Sequence, residues 1–245
     1  MIWQYLSSAL FFVIWVPYTI FFSILVSLLA LLHRYTAMKV IRFWVDSCFW
    51  MLKVLCGITY EIEGRENVPD GNHVVYIKHT STWETMAQMK LFYRQSWVMK
   101  RELLWIPFFG WALMTMTPIA IDRSAHRRAV QQVLTQGAQR LADGFWVHIF
   151  PEGTRMQPGT TRRYGMSGAI LAKENGRMIV PVAQNAGDLW PKHSLLKRPG
   201  HVRMIIGPPI STHDKEPAEI NQAAQDWIEA KMREISVAYS DDAQL

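Results

Sequence analysis

The run His73-Val74-Val75-Tyr76-Ile77-Lys78, leading into His79-Thr80-Ser81-Thr82-Trp83-Glu84, decides the fold of this chain. The turn signal Pro69-Asp70-Gly71-Asn72 precedes it, and the β-branched and aromatic residues that follow read as a buried strand. His79 then stands at the strand's end. Beyond it, Ser81-x-x-Glu84 is a capping-box pattern and predicts a helix from about Thr82 to Tyr93. If His79 and Glu84 shared one helix, five steps of ~100° would leave them roughly 140° apart, pointing away from each other. A loop followed by a helix lets them meet.

The pair admits two readings. In one, Glu84 reaches back to the Ser81 amide as a cap, and His79 is a partly buried histidine satisfied by a carbonyl. In the other, neutral His79 accepts a proton from a hydroxyl while Glu84 fixes its tautomer and stabilises the imidazolium. No serine nucleophile is then required, since the hydroxyl can belong to the substrate.

A second strand pattern, Gly144-Phe145-Trp146-Val147-His148-Ile149-Phe150, runs into Pro151-Glu152-Gly153-Thr154-Arg155. Gly153 permits a tight turn, Thr154 offers a hydroxyl, and Arg155 presents a planar fork of donors suited to phosphate. Such strand-end loops hold ligands in open α/β sheets, although a Pro-Glu-Gly turn with a solvated arginine gives the same letters.

Taken in order, His79-x-x-x-x-Glu84, Ile119-Ala120-Ile121-Asp122-Arg123, Phe150-Pro151-Glu152-Gly153-Thr154-Arg155 and Ile179-Val180-Pro181-Val182 resemble the four motifs of the glycerolipid acyltransferases. Length and N-terminal architecture are most similar to the bacterial 1-acylglycerol-3-phosphate acyltransferase branch. The resemblance spans roughly residues 60 to 210 and is most specific at Phe150 to Arg155. It implies that His79 is the general base, that Glu84 orients it, and that an acceptor hydroxyl attacks an acyl thioester. It further implies acceptor and phosphate binding by Arg155, Thr154, Gly153, Glu152, Arg123 and Lys100. Backbone amides near the start of the Thr82 helix are candidates to support the developing oxyanion. Two positions depart from the family pattern: Glu84 stands where Asp is usual, and Ala120 where a bulky aromatic is common.

The implied reaction places an acyl chain on the sn-2 hydroxyl of lysophosphatidic acid, giving phosphatidic acid for phospholipid synthesis. Its co-substrate is acyl-CoA or acyl carrier protein, and no metal or other cofactor is expected. Alternatives are another lysophospholipid or lyso-aminolipid acceptor, or a catalytically silent lipid-binding membrane protein of the same fold.

No charged residue occurs from Met1 to Leu32, which exceeds the ~20 apolar residues needed to cross a bilayer. A cleaved signal peptide is disfavoured because no basic segment precedes the apolar stretch. Pro17 leaves open a kink or a re-entrant hairpin. Arg34, Lys39 and Arg42 follow at once, so the positive-inside bias places the remainder in the cytoplasm, and the resemblance implies a bacterial inner membrane. From Tyr35 to Cys56, Lys39, Arg42, Asp46 and Lys53 draw one polar stripe opposite Phe43, Trp44, Phe49, Trp50, Met51 and Leu55. That pattern suits a helix lying on the bilayer or covering the catalytic part, or an ordinary amphipathic core helix.

The formal charge of +6 and pI near 9.4 favour an anionic partner, and 11 tryptophans suit a membrane interface. Phospholipid headgroups fit better than nucleic acid, for which no zinc-finger spacing, RNA-recognition aromatic motif or Lys/Arg block is present. Gly165-Met166-Ser167-Gly168-Ala169 falls short of a serine-hydrolase elbow, and neither a P-loop nor His-Glu-x-x-His occurs. Cys48 and Cys56 form no metal motif or disulfide framework by their spacing.

Candidate strands are Ile58–Glu63, Val74–Lys78, Trp97–Met99, Pro118–Ile121, Phe145–Phe150, Ile179–Gln184 and Val202–Ile206, alternating with helical patterns at Ala125–Ala142, Ser167–Glu174 and Ala218–Ile235. The expected fold is α/β, a mostly mixed central sheet flanked by helices, with mixing inferred from the short link between the first two strands. Residues 1–56 form membrane-anchoring helices, 57–239 a catalytic domain, and 240–245 a flexible tail.

Overall fold

The computed structural model describes residues 2–92, 94–125 and 127–239; the end of the helix expected to reach Tyr93 and the expected tail at 240–245 lie outside them. Two long helices come first, α1 (Ile2–Leu32) and α2 (Arg34–Cys56). The remaining elements are β1 (Ile58–Glu63), β2 (Val74–Ile77), α3 (Trp83–Ala87), β3 (Gln95–Lys100), α4 (Phe109–Thr115), β4 (Ile119–Ile121), α5 (Arg127–Ala142), β5 (Trp146–Ile149), α6 (Ser167–Glu174), β6 (Ile179–Gln184), α7 (Ala186–Leu189), β7 (Gly200–Ile206) and α8 (Pro217–Ile235).

The seven strands form one sheet in the order β1-β7-β6-β2-β5-β3-β4. All neighbouring pairs are parallel except β6 with β7. The sheet is therefore mixed as expected, but for a different reason. β1 and β2 are separated by two strands, and the single antiparallel pairing arises where the chain returns from β6 to β7.

Alternation along β2 divides the core. Val75 and Ile77 pack with α1 to α4, whereas Val74 and Tyr76 face the layer built by α5, α6 and α8. In α5 the buried residues Ala129, Val133, Gly137 and Leu141 recur every fourth position, giving one narrow stripe. A Cβ on Gly137 would come within 2.6 Å of the Leu171 side chain, so glycine sets how closely α5 approaches α6.

α1 is one continuous helix with Pro17 inside it, and the hairpin alternative is not adopted. It is long and apolar enough to cross a membrane. Most of its large apolar side chains, among them Trp3, Leu6, Val13, Phe21, Leu28 and Leu31, are exposed on the protein. α2 begins at the cap His33, whose Nδ1 accepts from the Thr36 amide at 3.3 Å, and stops at Gly57, whose φ of 67° ends the helix in the left-handed region. Its expected apolar face is split by the fold. Trp44, Phe49 and Met51 are buried, Phe49 stacking on Trp83 at 5.2 Å, while Phe43, Trp50 and Val54 form a separate exposed stripe. The helix both covers the sheet and keeps an apolar strip outside.

The expected helix after His79 is short: α3 ends at Ala87 and tightens into a 3₁₀ turn over Gln88–Lys90.

Candidate active site

β2, β3, β4 and β5 are parallel, so their C-terminal ends lie on one edge of the sheet. That edge carries His79 after β2, Lys100 and Arg101 at the end of β3, Asp122 and Arg123 after β4, and Phe150 to Arg155 after β5. β2 and β5 are immediate neighbours, which brings the two principal motifs together.

His79 Nδ1–H donates to Glu84 Oε1 at 2.8 Å. The same oxygen accepts the Thr80 amide at 2.9 Å and the Ser81 amide at 2.8 Å. The choice posed by the sequence does not arise, because a single carboxylate oxygen serves both imidazole and loop. Glu84 spans the distance despite its extra methylene because α3 starts only one residue before it. Ser81 Oγ accepts the Trp83 amide at 3.1 Å and donates to the Trp190 carbonyl at 2.6 Å. The amides of Thr80, Ser81 and Trp83 are thereby engaged, which removes them from the expected oxyanion support.

His79 is held from its backbone as well. Its amide donates to Glu152 Oε2 at 3.0 Å, and its carbonyl accepts from the Met156 amide at 2.7 Å. The loop after β5 thus clamps the loop after β2. The imidazole stacks on Phe150 at 3.9 Å, which fixes the ring plane. Among the described residues Nε2 has no hydrogen-bond partner, leaving it as the acceptor when Nδ1 carries the proton. Burial lowers the His79 pKa below its ordinary value; Glu84 opposes that shift, while the charges of Arg155 and Arg123 lower it further. That direction favours the neutral ring, the form a base requires.

Arg155 Nη1 donates to Thr82 Oγ1 at 2.9 Å, Arg123 Nη1 donates to the Gly153 carbonyl, and Lys192 Nζ stands 3.5 Å from Thr154 Oγ1. Gly153 has a φ of 69°, and no atom lies within 4 Å of where its Cβ would be, so the requirement for glycine is conformational. Arg155 and Arg123 each commit one N–H to protein, and a guanidinium has five. Lys100 is exposed at the end of β3; its neighbour Arg101 instead pairs with Asp122 at 2.8 Å.

Glu152 sits differently from the other residues of its motif. It is buried, its Oε1 lies 2.7 Å from Lys78 Nζ, and its carboxylate is engaged by that cation and the His79 amide. Lys78 also donates to Glu229 Oε1 of α8 at 2.8 Å and to the Thr160 carbonyl at 3.1 Å. Burial raises the Glu152 carboxyl to about 7, with Lys78 and the His79 amide pulling down and Glu229 pushing up.

Lys78, Gln184, Lys192 and Glu229 were not anticipated. Gln184 Nε2 donates to the Lys78 carbonyl and to Thr80 Oγ1, both at 3.0 Å, and so braces the loop that carries His79. Lys78 had a sequence signal: a lysine closing an otherwise apolar strand needs a buried partner. Glu229 and Gln184 had none, since each is paired only through the tertiary fold.

Comparison with known proteins gives consistent matches. Residues 59–185 match the family described as Acyltransferase. A 1-acyl-sn-glycerol-3-phosphate acyltransferase from Pseudomonas aeruginosa is 44% identical over 200 residues, covering 80% of this chain and 78% of that one. An enzyme of the same name from Saccharomyces cerevisiae is 28% identical over 192 residues, covering 74% and 62%. The crystal structure of the 1-acyl-sn-glycerophosphate acyltransferase PlsC from Thermotoga maritima superimposes with a TM-score of 0.77 over 94% of both chains at 23% identity, a likeness of fold.

Proposed function

The chain belongs to the acyltransferase family, and from that premise we propose that it transfers an acyl chain from an acyl thioester to the sn-2 hydroxyl of 1-acyl-sn-glycerol 3-phosphate, giving phosphatidic acid. The observation that carries this reading is the 2.8 Å bond from His79 Nδ1–H to Glu84 Oε1, at the meeting of three motif loops. His79 Nε2 takes the proton of the acceptor hydroxyl as its oxygen attacks the thioester carbonyl. The carbon–sulfur bond then breaks, and the imidazolium returns that proton to the leaving thiolate. As written, the step needs no metal ion or redox cofactor.

Arg155 and Arg123 bind the acceptor phosphate, using the guanidinium donors left over from Thr82 and Gly153. Thr154 and Lys192 extend that surface, Lys100 contributes charge at its margin, and Gly153 shapes the turn. Glu152 is a positioning residue that holds the His79 amide. Acyl-CoA or acyl carrier protein supplies the thioester.

Residues 1–56 anchor the protein and 57–239 form the catalytic domain. With the exposed apolar face of α1 embedded in the inner membrane and Arg34, Lys39 and Arg42 directed to its cytoplasmic side, the sheet edge that carries His79 meets lysolipid arriving from the bilayer. The test is purified protein with an acyl thioester and lysophosphatidate, product measured by mass spectrometry, and lysophosphatidylcholine and lysophosphatidylethanolamine as competing acceptors. Phosphatidate formation that vanishes in His79→Ala is expected; full turnover by that variant refutes the mechanism.

A further inference from the structure

The sheet has a second functional end. At the N-terminal ends of β3 and β5 a cavity of about 400 Å³ opens beneath the start of α2, lined by residues that include Arg34, Lys39, Arg42, Arg94, Gln95 and Thr117. Its described lining contains four cations and no carboxylate. Arg34 Nη2 donates to the Thr115 carbonyl at 3.0 Å, Lys39 lies 4.6 Å over the Tyr35 ring, and Arg94 lies 4.7 Å over the Phe145 ring. These contacts fix the side chains without neutralising them. Asp143, near this wall in sequence, is taken by Arg140 at 3.7 Å and Gln139 at 2.8 Å.

Two lining groups are buried without partners. Gln95 is 4% exposed, yet neither its side-chain oxygen nor its nitrogen is hydrogen-bonded, and Thr117 Oγ1 is likewise unpaired. Leaving such groups buried and unsatisfied is costly, and they stand in the wall directly behind the cation-lined surface. The cavity is not part of the acyl-transfer site. Strand register places Phe145 about seven residues below His79, roughly 23 Å at 3.3 Å per residue.

From these features we propose that the cavity binds the phosphate-bearing headgroup of an anionic phospholipid. The cations match phosphate oxygens, and the site lies where apolar α1, exposed along most of its length, turns into α2. Met116 in its wall also lines a shallow apolar groove among α1, α2 and α4, with Phe22, Val26, Ile41 and Leu113, along which part of an acyl chain can lie. Free phosphate would satisfy the cations but not that groove.

The test is native mass spectrometry of the full chain in detergent with added dioleoylphosphatidylglycerol, which is neither substrate nor product of the proposed reaction, against dioleoylphosphatidylcholine. The wild type retains phosphatidylglycerol selectively. Arg34→Gln/Lys39→Gln/Arg94→Gln weakens retention by at least about tenfold, since each lost charge-assisted bond carries about that factor. Lys39→Glu, at an exposed position, shows a smaller loss without risk to folding, and turnover of micellar substrate is unchanged in both. Equal retention of the two lipids, or wild-type retention by the triple variant, overturns the proposal. So does displacement of the lipid by millimolar inorganic phosphate, which would identify a free-anion site.

Discussion

Glu84→Gln separates the two roles that one oxygen performs. The amide oxygen of glutamine can still accept from the Thr80 and Ser81 amides, now at 2.9 and 2.8 Å, and from His79 Nδ1–H. Glu84 Oε2 is buried without a partner, so the new NH₂ replaces an atom that makes no bond and costs little in structure. What disappears is the negative charge facing the imidazolium in the transition state. With charge centres about 4 Å apart and an effective dielectric of about 20, that attraction is about 4 kcal/mol, or about three orders of magnitude in rate. The figure falls within the ~10²–10⁴-fold range typical of general-base catalysis. Initial rates of phosphatidate formation in detergent micelles, set beside thermal unfolding of the same preparation, provide the assay. A fall in kcat of about 10³ with an unfolding midpoint near wild type is expected. If kcat stays within about tenfold at an unchanged midpoint, the Glu84 charge does not stabilise the imidazolium and the electrostatic part of its role is wrong.

Arg155→Ala should raise KM for lysophosphatidate by about 10- to 100-fold. It should also move the acid limb of kcat/KM to higher pH, because Arg155 helps to lower the His79 pKa; an unmoved limb would place the arginine too far away to act. For the same reason the acid limb of kcat should lie above that of kcat/KM in the wild type, since a bound phosphate neutralises the two arginines. His148 is buried, and burial lowers its pKa from 6.5 to about 3, so the folded state binds fewer protons than the unfolded one throughout that window. Its contribution is intact above about 6.5 and is lost as pH falls toward 3, at up to about 1.4 kcal/mol per unit. Unfolding midpoints should therefore drop less between pH 7 and pH 5 in His148→Gln than in the wild type. Lys78→Met leaves Glu152 and Glu229 buried without their cation and should cost about 3–5 kcal/mol, read as a lowered unfolding midpoint that recovers when Glu229→Gln is added.

Elements with a regular period were legible from the chain. The strand before His79, the helix that became α5 and the end of α2 at Cys56 follow from local spacing. Strand order was not legible, because periodicity says which face is buried and nothing about which neighbour buries it. The link between β1 and β2 suggested a pairing that β7 and β6 in fact interrupt. Within the site, His79 and Glu84 were found because they are five residues apart and joined by a short loop. Glu152 was grouped with the phosphate binders because it shares their motif, yet a carboxylate repels phosphate and finds its cation in Lys78. Residues such as Gln184 and Glu229 stand 106 and 151 positions from the Lys78 they touch, at distances no local pattern records.

Strand parity explains why base and ion cluster do not interfere. Side chains alternate along β2, so Val74, Tyr76 and Lys78 face α5, α6 and α8, while Val75, Ile77 and His79 face the side that holds the N-terminal helices. Along β5 the same parity sets Phe150 on the His79 side, where the two rings stack. Lys78 is thus delivered to Glu229 of α8 and His79 to the face of the sheet nearest α1 and α2, although the two are adjacent in sequence. A slip of one residue in β2 would exchange them, burying the base among carboxylates and sending the lysine to the substrate side. The register is held by the four-residue pairing of β2 with β6, from Val74–Ile179 to Ile77–Val182, and by Gln184 at its end. The reach of an acceptor hydroxyl to His79 therefore depends on the pairing of two central strands as much as on the residues that perform the chemistry.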